Sequence, residues 1–288
     1  MRPSGRAGLS AGRRLSARTA SCAAAARRTR RPWARAALLL ALGAALLPAA
    51  PVAPRAVAAE LPSADELRKR VDELWRGQSS QAQMTMVVKT ARYERAMTME
   101  AWSQGTEKAL VKILAPKKDR GIATLKVDQN IWNYLPKINR VTKIPPSMMM
   151  GSWMGSHFTN DDLVKESSYA ADYESSVTFA GNRNGQRVYE VTSVPRPQAV
   201  VVWGKVVTEI DQETLLPVRG VYYDEEGRPA RTLTFGAPRT FDGRRLPTRL
   251  VLQPEDKSGE STTVIYDAIR FDVKLPPDLF TLRGLQEQ

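Results

Sequence analysis

His157 is the one histidine among 288 residues, and it stands beside Ser156 and shortly before the acid pair Asp161 and Asp162. Serine, histidine and aspartate are the residue types of a nucleophile, its base and the acid that orients the base. Here they crowd into a few consecutive positions, and no G-x-S-x-G elbow presents a serine. His157 therefore reads as a loop residue, exposed or hydrogen-bonded. Asp161 and Asp162 are either a paired-carboxylate site or acids placed at a helix N-terminus, where the backbone dipole favours them. A zinc site takes three or four ligands from histidine, cysteine and carboxylates, and one histidine with one cysteine, Cys22, does not make a conventional one. There is no Walker loop and no G-x-G-x-x-G, and residues 219–227 lack calcium-loop spacing. The expectation is a protein with no catalytic residue, no metal and no cofactor.

What the same region does hold is apolar. Residues 147–163 contain four of the nine methionines (Met148, Met149, Met150 and Met154), with Trp153, Phe158, Gly151 and Gly155. Glycine and serine interrupt the stretch too often for a strand, and it is too apolar for an ordinary solvated loop. Methionine is flexible and polarisable, so such a loop can repack against apolar ligands of varied shape. It can equally plug the end of a core.

The elements that would position this loop are strands. Met84, Met86 and Val88, then Met97, Met99 and Ala101, then Ala109, Val111 and Ile113 each alternate with the residues between them, the period-two pattern of antiparallel strands. Residues 123–127 and 131–135 follow, with a basic cluster at Lys137, Arg140 and Lys143. After the central loop come residues 176–180, 188–194, 200–210, 218–223, 231–235, 248–252 and 261–271, separated by turn sequences. Short turns between such strands indicate an antiparallel sheet or open barrel rather than βαβ units. Ser63-Ala64-Asp65-Glu66 is a capping box, and Leu67, Val71 and Leu74 give the helix behind it one apolar face. Thr159 or Asn160 is expected to cap a second helix. A curved sheet with one apolar concave face, covered by a helix and the central loop, makes a cavity for an acyl chain.

The first 58 residues are of another kind. Ten arginines and no acid fill residues 1–35, residues 36–47 are apolar, and Ala56-Val57-Ala58 is a small-residue cleavage site. This is a secretory signal peptide, leaving residues 59–288 as one domain. Residues 1–58 carry eleven arginines and no other charge, so only +2 of the net +13 belongs to residues 59–288. The basic pI is thus a property of the export signal, and nucleic acid is not an expected partner. Cys22 leaves with the signal.

Residues 151–163, Gly-Ser-Trp-Met-Gly-Ser-His-Phe-Thr-Asn-Asp-Asp-Leu, resemble the G-S-F-M-G-S-D-F-T-Y-E-D-L signature of the outer-membrane lipoprotein-sorting protein family, the LolA-like group. The flanks agree: Ile131-Trp132-Asn133-Tyr134-Leu135-Pro136 before the signature, and Asp211-Gln212-Glu213-Thr214-Leu215-Leu216-Pro217 after it. The resemblance implies a mainly β protein with a few helices, an incomplete antiparallel β-barrel wrapped around helices, with a hydrophobic cavity. It implies a periplasmic carrier of lipid or lipoprotein acyl chains, working with an ABC-type or RND-type permease, or else an adaptor of a membrane transport complex that carries nothing. On this reading Trp132, Met148, Met150, Trp153, Met154 and Phe158 line or gate the cavity. Gly151 and Gly155 let the loop move. Lys137, Arg140 and Lys143 meet anionic headgroups or the permease.

Overall fold

The computed structural model describes residues 61–165, 172–199 and 201–287; the expected signal peptide lies outside them. Thirteen strands form one antiparallel sheet in the order β6-β5-β4-β3-β2-β1-β13-β12-β11-β10-β9-β8-β7. The first half is a meander of β1 (Ser79–Lys89), β2 (Glu94–Gln104), β3 (Lys108–Ala115), β4 (Ala123–Val127), β5 (Asn130–Leu135) and β6 (Arg140–Lys143). The second half runs through β7 (Tyr173–Arg183), β8 (Gln186–Pro195), β9 (Lys205–Asp211), β10 (Pro217–Tyr223), β11 (Pro229–Phe241), β12 (Arg244–Pro254) and β13 (Ser261–Phe271). The halves join where β13 returns to pair with β1. β6 and β7 do not pair with each other, so the sheet is an open barrel. That is the fold class the sequence led to. β6 is an addition to the strands read from the alternation of the sequence. The strand expected over 200–210 begins at Lys205.

Parity along the strands sets the two faces. In β1, Ser80, Ala82, Met84, Met86 and Val88 are buried while their neighbours are half-buried or exposed. Their cross-strand partners Ser103, Ala101, Met99 and Met97 lie on the same face. The methionine ladder continues to Ile113, Leu246, Val264 and Ile269 and forms the main core. Burying side chains of this size contributes about 1.5–3 kcal/mol each. The opposite face of β3–β5 is buried too. Leu110, Leu125 and Tyr134 pack there against Leu279, Phe280 and Leu285. The last belongs to a short C-terminal helix, Leu282–Glu287, which the sequence reading had left as a tail. A second apolar layer behind the sheet explains why these strands have apolar residues on both faces.

Helix α1 (Ala64–Glu73) starts as its sequence indicates, with Ser63 Oγ accepting the Glu66 N–H at 3.2 Å. Ala64, Leu67 and Val71 pack on Val191 and Ile210 of β8 and β9. Just beyond it, Trp75 stacks on Phe235 and Tyr266 at 6.0 and 6.2 Å and donates its indole N–H to the Pro247 carbonyl at 3.2 Å. Helix α2 (Asn160–Lys165) lies in the long connection from β6 to β7. No helix among the described residues is long and apolar enough to cross a membrane.

Candidate functional site

The connection between the two sheet edges carries the methionine-rich loop, and its backbone is closely bonded. Trp153 N–H donates to the Phe158 carbonyl (2.8 Å), Ser156 N–H to Trp153 (2.9 Å), Asn160 N–H to Gly151 (3.0 Å) and Asp161 N–H to Met149 (2.9 Å). The Asn160 amide donates to the Met148 and Gly151 carbonyls at 3.1 and 3.2 Å. Ser152 Oγ donates to the Ser156 carbonyl, and Ser152 and Thr159 form an isolated β-bridge. Thr159 caps α2, its hydroxyl accepting the Asp162 N–H at 3.2 Å while Asp162 Oδ2 accepts the Thr159 N–H at 2.8 Å. With so many internal bonds the segment is a preformed plug.

Three side chains fix the plug to three strands. The Trp153 indole N–H donates to Thr124 Oγ1 of β4 at 3.2 Å, and its ring is buried in the methionine core. His157 lies against the start of β13. Its Nδ1 is 2.9 Å from Thr262 Oγ1, its Nε2 is 3.0 Å from Glu260 Oε2, and its backbone N–H donates to Thr262 Oγ1 at 3.0 Å. Asp162 makes a bidentate pair with Arg231 of β11 at 2.7 and 2.5 Å. The Arg231 guanidinium lies 4.3 Å from both the Trp203 and Tyr222 ring centres, where a flat, weakly hydrated cation stacks well. Glu260 is held below the usual carboxylate range, first by the Ala91 N–H and next by its bond to His157. The Tyr173 phenol is pushed up by burial and then by the charge of Asp161.

A hydroxyl, a histidine and an acid do meet, though not the ones the sequence offered. Ser156 Oγ donates to the Trp153 carbonyl at 2.7 Å and accepts the Phe158 N–H at 3.1 Å, so it serves the plug's own turn. The partners of His157 are Thr262 and Glu260, and Thr262 is fully buried. A hydroxyl so enclosed has no approach for a substrate, and this histidine works as a fastener.

Under the plug, on the inner face of the sheet, lies a cavity of about 240 Å³. Met84, Met99, Val111, Leu250, Val264 and Tyr266 form its sheet wall, and Trp153, Phe158 and Leu163 form its cover. Asp72, Trp75 and Arg76 close it from the α1 side. The polar lining is concentrated in Ser80, Ser103, Thr124 and Lys126 of β1, β2 and β4 and in Asp161, Asp162, Tyr173 and Arg231.

The six residues expected at the cavity separate. Trp153 and Phe158 line it. Met154 packs on the core beneath the plug with φ of +49°. Met148 and Met150 are 55% and 49% exposed and face away from it. Trp132 is on the other side of the sheet. It is paired with Leu125, and Leu125 points outward because Thr124 and Lys126 point inward. Gly155 has φ of +72°, a left-handed conformation that favours glycine. Gly151 meets a different need, since a Cβ there would stand 3.0 Å from the Met148 carbonyl. Lys137, Arg140 and Lys143 are exposed on the β5–β6 hairpin, with Lys143 5.7 Å from the Trp132 ring centre.

Lys126, Arg231, Glu260 and Thr262 are among the residues of this site not picked out from the sequence. Lys126 had a visible signal, since alternation in Ala123–Val127 sets it with Thr124 against Leu125. Arg231, Glu260 and Thr262 had none, because each is defined by a partner about 70 or more positions away.

A family model described as an uncharacterized protein matches residues 105–287. No curated protein matches the sequence. Among solved structures, a DUF1329 family protein from Desulfovibrio piger superposes with a TM-score of 0.70 at 21% identity, over 77% of this chain and 97% of its own. A domain described as an outer membrane lipoprotein-sorting protein, from Vibrio parahaemolyticus, has a TM-score of 0.67 at 25% identity, over 77% and 97%. A LolA superfamily protein from Nitrosomonas europaea has a TM-score of 0.66 at 20% identity, over 78% and 100%. The open barrel therefore has the fold of these three proteins, as the resemblance read from residues 151–163 implied.

Proposed function

The chain belongs to the family whose model matches residues 105–287, and from the cavity and the likeness to a lipoprotein-sorting domain we propose that it is a periplasmic carrier of lipid or lipoprotein acyl chains. The observation that carries the reading is the apolar cavity of about 240 Å³ between the methionine wall of the sheet and the Trp153–Phe158 cover. Each methylene moved from water into such a space contributes about 0.8 kcal/mol. A longer chain is accommodated when the plug lifts, because methionine side chains repack at low cost. The basic n-region, apolar run and Ala-Val-Ala site at residues 1–58 support export with cleavage. Delivery to or from a membrane then calls for a permease partner, and the exposed Lys137, Arg140 and Lys143 beside the open sheet edge are the surface we assign to it.

Native mass spectrometry of the processed protein, purified from periplasm without detergent, tests the reading. The expected result is a reproducible excess mass that organic extraction releases as acyl lipid. A clean apo mass, with no uptake of added phospholipid or acylated peptide, would overturn it and leave a transport adaptor.

A further inference from the structure

The cavity is not apolar throughout. Ser80 on β1, Ser103 on β2, Ala109 on β3 and Lys126 on β4 are successive cross-strand partners, and all four line it. Lys126 is only 2% exposed, among the most buried large side chains of the protein. Its ammonium donates to the Thr106 carbonyl, in the turn joining β2 to β3, at 2.5 Å. The chain therefore leans back over Ala109, the small residue of the row, toward the side of Ser103. Ser80 and Ser103 hydroxyls are 2.7 Å apart; two hydroxyls bonded to each other use one proton and keep a second to donate. Glu107, in the same turn, is held below the usual carboxylate range, chiefly by the Thr106 hydroxyl, with the Lys126 charge contributing.

A core strand that needed only to close an acyl space would put leucine or methionine at position 126. A buried ammonium is costly unless anionic or polar oxygens surround it, and the Thr106 carbonyl is one such oxygen. Of the other charges in the lining, Arg231 is committed to Asp162 through two bonds. The α1 side adds one acid and one base, Asp72 and Arg76, and the plug adds a third acid, Asp161, whose charge bears on Tyr173. Lys126 with the serine pair thus forms a donor-rich end on an otherwise methionine-lined wall. That arrangement matches an acyl chain ending in an anion.

Resting on the carrier reading, we propose that the cavity selects acyl amphiphiles with an anionic head, a carboxylate or a phosphate, and seats that head between Lys126 and the Ser80–Ser103 pair. The chain then runs along Met84, Met99 and Val111 beneath Trp153.

Competition against a fluorescent acyl probe on the purified protein tests this, using hexadecanoate, hexadecyl phosphate, methyl hexadecanoate and hexadecanol below their aggregation limits. At least one of the two anions is expected to compete at about tenfold lower concentration than the ester or the alcohol, the effect of a charge-assisted hydrogen bond in a dry site. Which anion is stronger tells a fatty carboxylate from a phosphate head. In Lys126→Met the anions fall to the level of the ester while the ester is unchanged, and Lys126→Arg keeps the preference. Equal competition by all four ligands in the unmodified protein overturns the anionic site and leaves the carrier standing. Competition by none overturns the carrier, and the anionic site with it. The comparison among ligands decides even if the methionine variant fails to fold.

Discussion

The Asp162 carboxylate is shared between the helix it begins and the strand it faces. Oδ2 accepts both the Thr159 N–H at 2.8 Å and Arg231 Nη1 at 2.7 Å, while Oδ1 accepts Arg231 Nη2 at 2.5 Å. One side chain therefore fixes the start of α2 and ties the plug to β11. Truncating either partner leaves a buried charge without its counterion. Asp162→Asn and Arg231→Met are each expected to lower stability by about 3–5 kcal/mol. Chemical denaturation checks the value. Amide exchange should quicken in residues 151–163 more than in β1 or β13; uniform quickening would count against a local tie. Arg231→Lys is not expected to restore stability, because an ammonium cannot make the bidentate bond or stack flat between Trp203 and Tyr222.

The two tryptophans on opposite faces separate packing from binding. Trp153→Ala should cost about 3–5 kcal/mol and change affinity for an acyl probe, since the ring both fills the core and covers the cavity. Trp132→Ala should cost stability through its contact with the C-terminal layer and leave probe affinity unaltered. Similar binding changes in both variants would contradict the face assignment.

Met148 and Met150 are exposed and bond to nothing through their side chains. The double change to serine should shift stability by no more than about 0.5 kcal/mol for each site and leave the interior ligand site intact. A loss of delivery to membranes with binding unchanged would mark them as a contact for the membrane partner.

Gly155→Ala places a Cβ on a left-handed backbone at φ +72° and should cost about 1–2 kcal/mol. Gly151 has no such conformation, so its substitution acts through the Met148 carbonyl 3.0 Å away. Thermal unfolding of Gly155→Asn against Gly155→Ala checks the backbone cause at Gly155, because asparagine tolerates the left-handed region better.

Glu260 sets the acid limit of the plug's third tie. Its pKa in the folded protein lies below the ordinary value of 4.5, so the folded state binds its proton less readily than the unfolded chain does. The contribution is present above pH 4.5 and is lost as the pH falls below that, through the depressed value. Fluorescence of Trp153 followed from neutral pH into acid should report the loosening. In Glu260→Gln that component of the transition should be missing; its persistence would reassign it to another carboxylate.

Much of the fold could be read along the chain. Met84-Thr85-Met86-Val87-Val88 alternates because one face of β1 looks into the barrel, and the capping box at Ser63 and the acids after Thr159 mark the helix starts they make. Alternation did not say which face Trp132 takes, because its neighbours Leu125 and Tyr134 make the side away from the cavity apolar too. With both sides buried, hydrophobicity no longer says which is the inside. The C-terminal Leu279, Phe280 and Leu285 explain that second layer, and nothing local in them names β3–β5 as their target.

By itself the sequence determined what depends on neighbours: the period of the strands, the turns, the caps, and an apolar loop between two runs of strands. Only the tertiary structure decided which face is concave, and therefore that Trp153 and Phe158 cover the cavity while Met148, Met150 and Trp132 do not. It alone decided that Asp162 finds Arg231, that His157 finds Glu260 and Thr262, and that Lys126 faces the cavity. The reason is physical. Alternation and capping are set within a few residues by backbone geometry, whereas a buried ion pair or a cavity wall exists only after strands far apart in the chain have paired and curved around the same space.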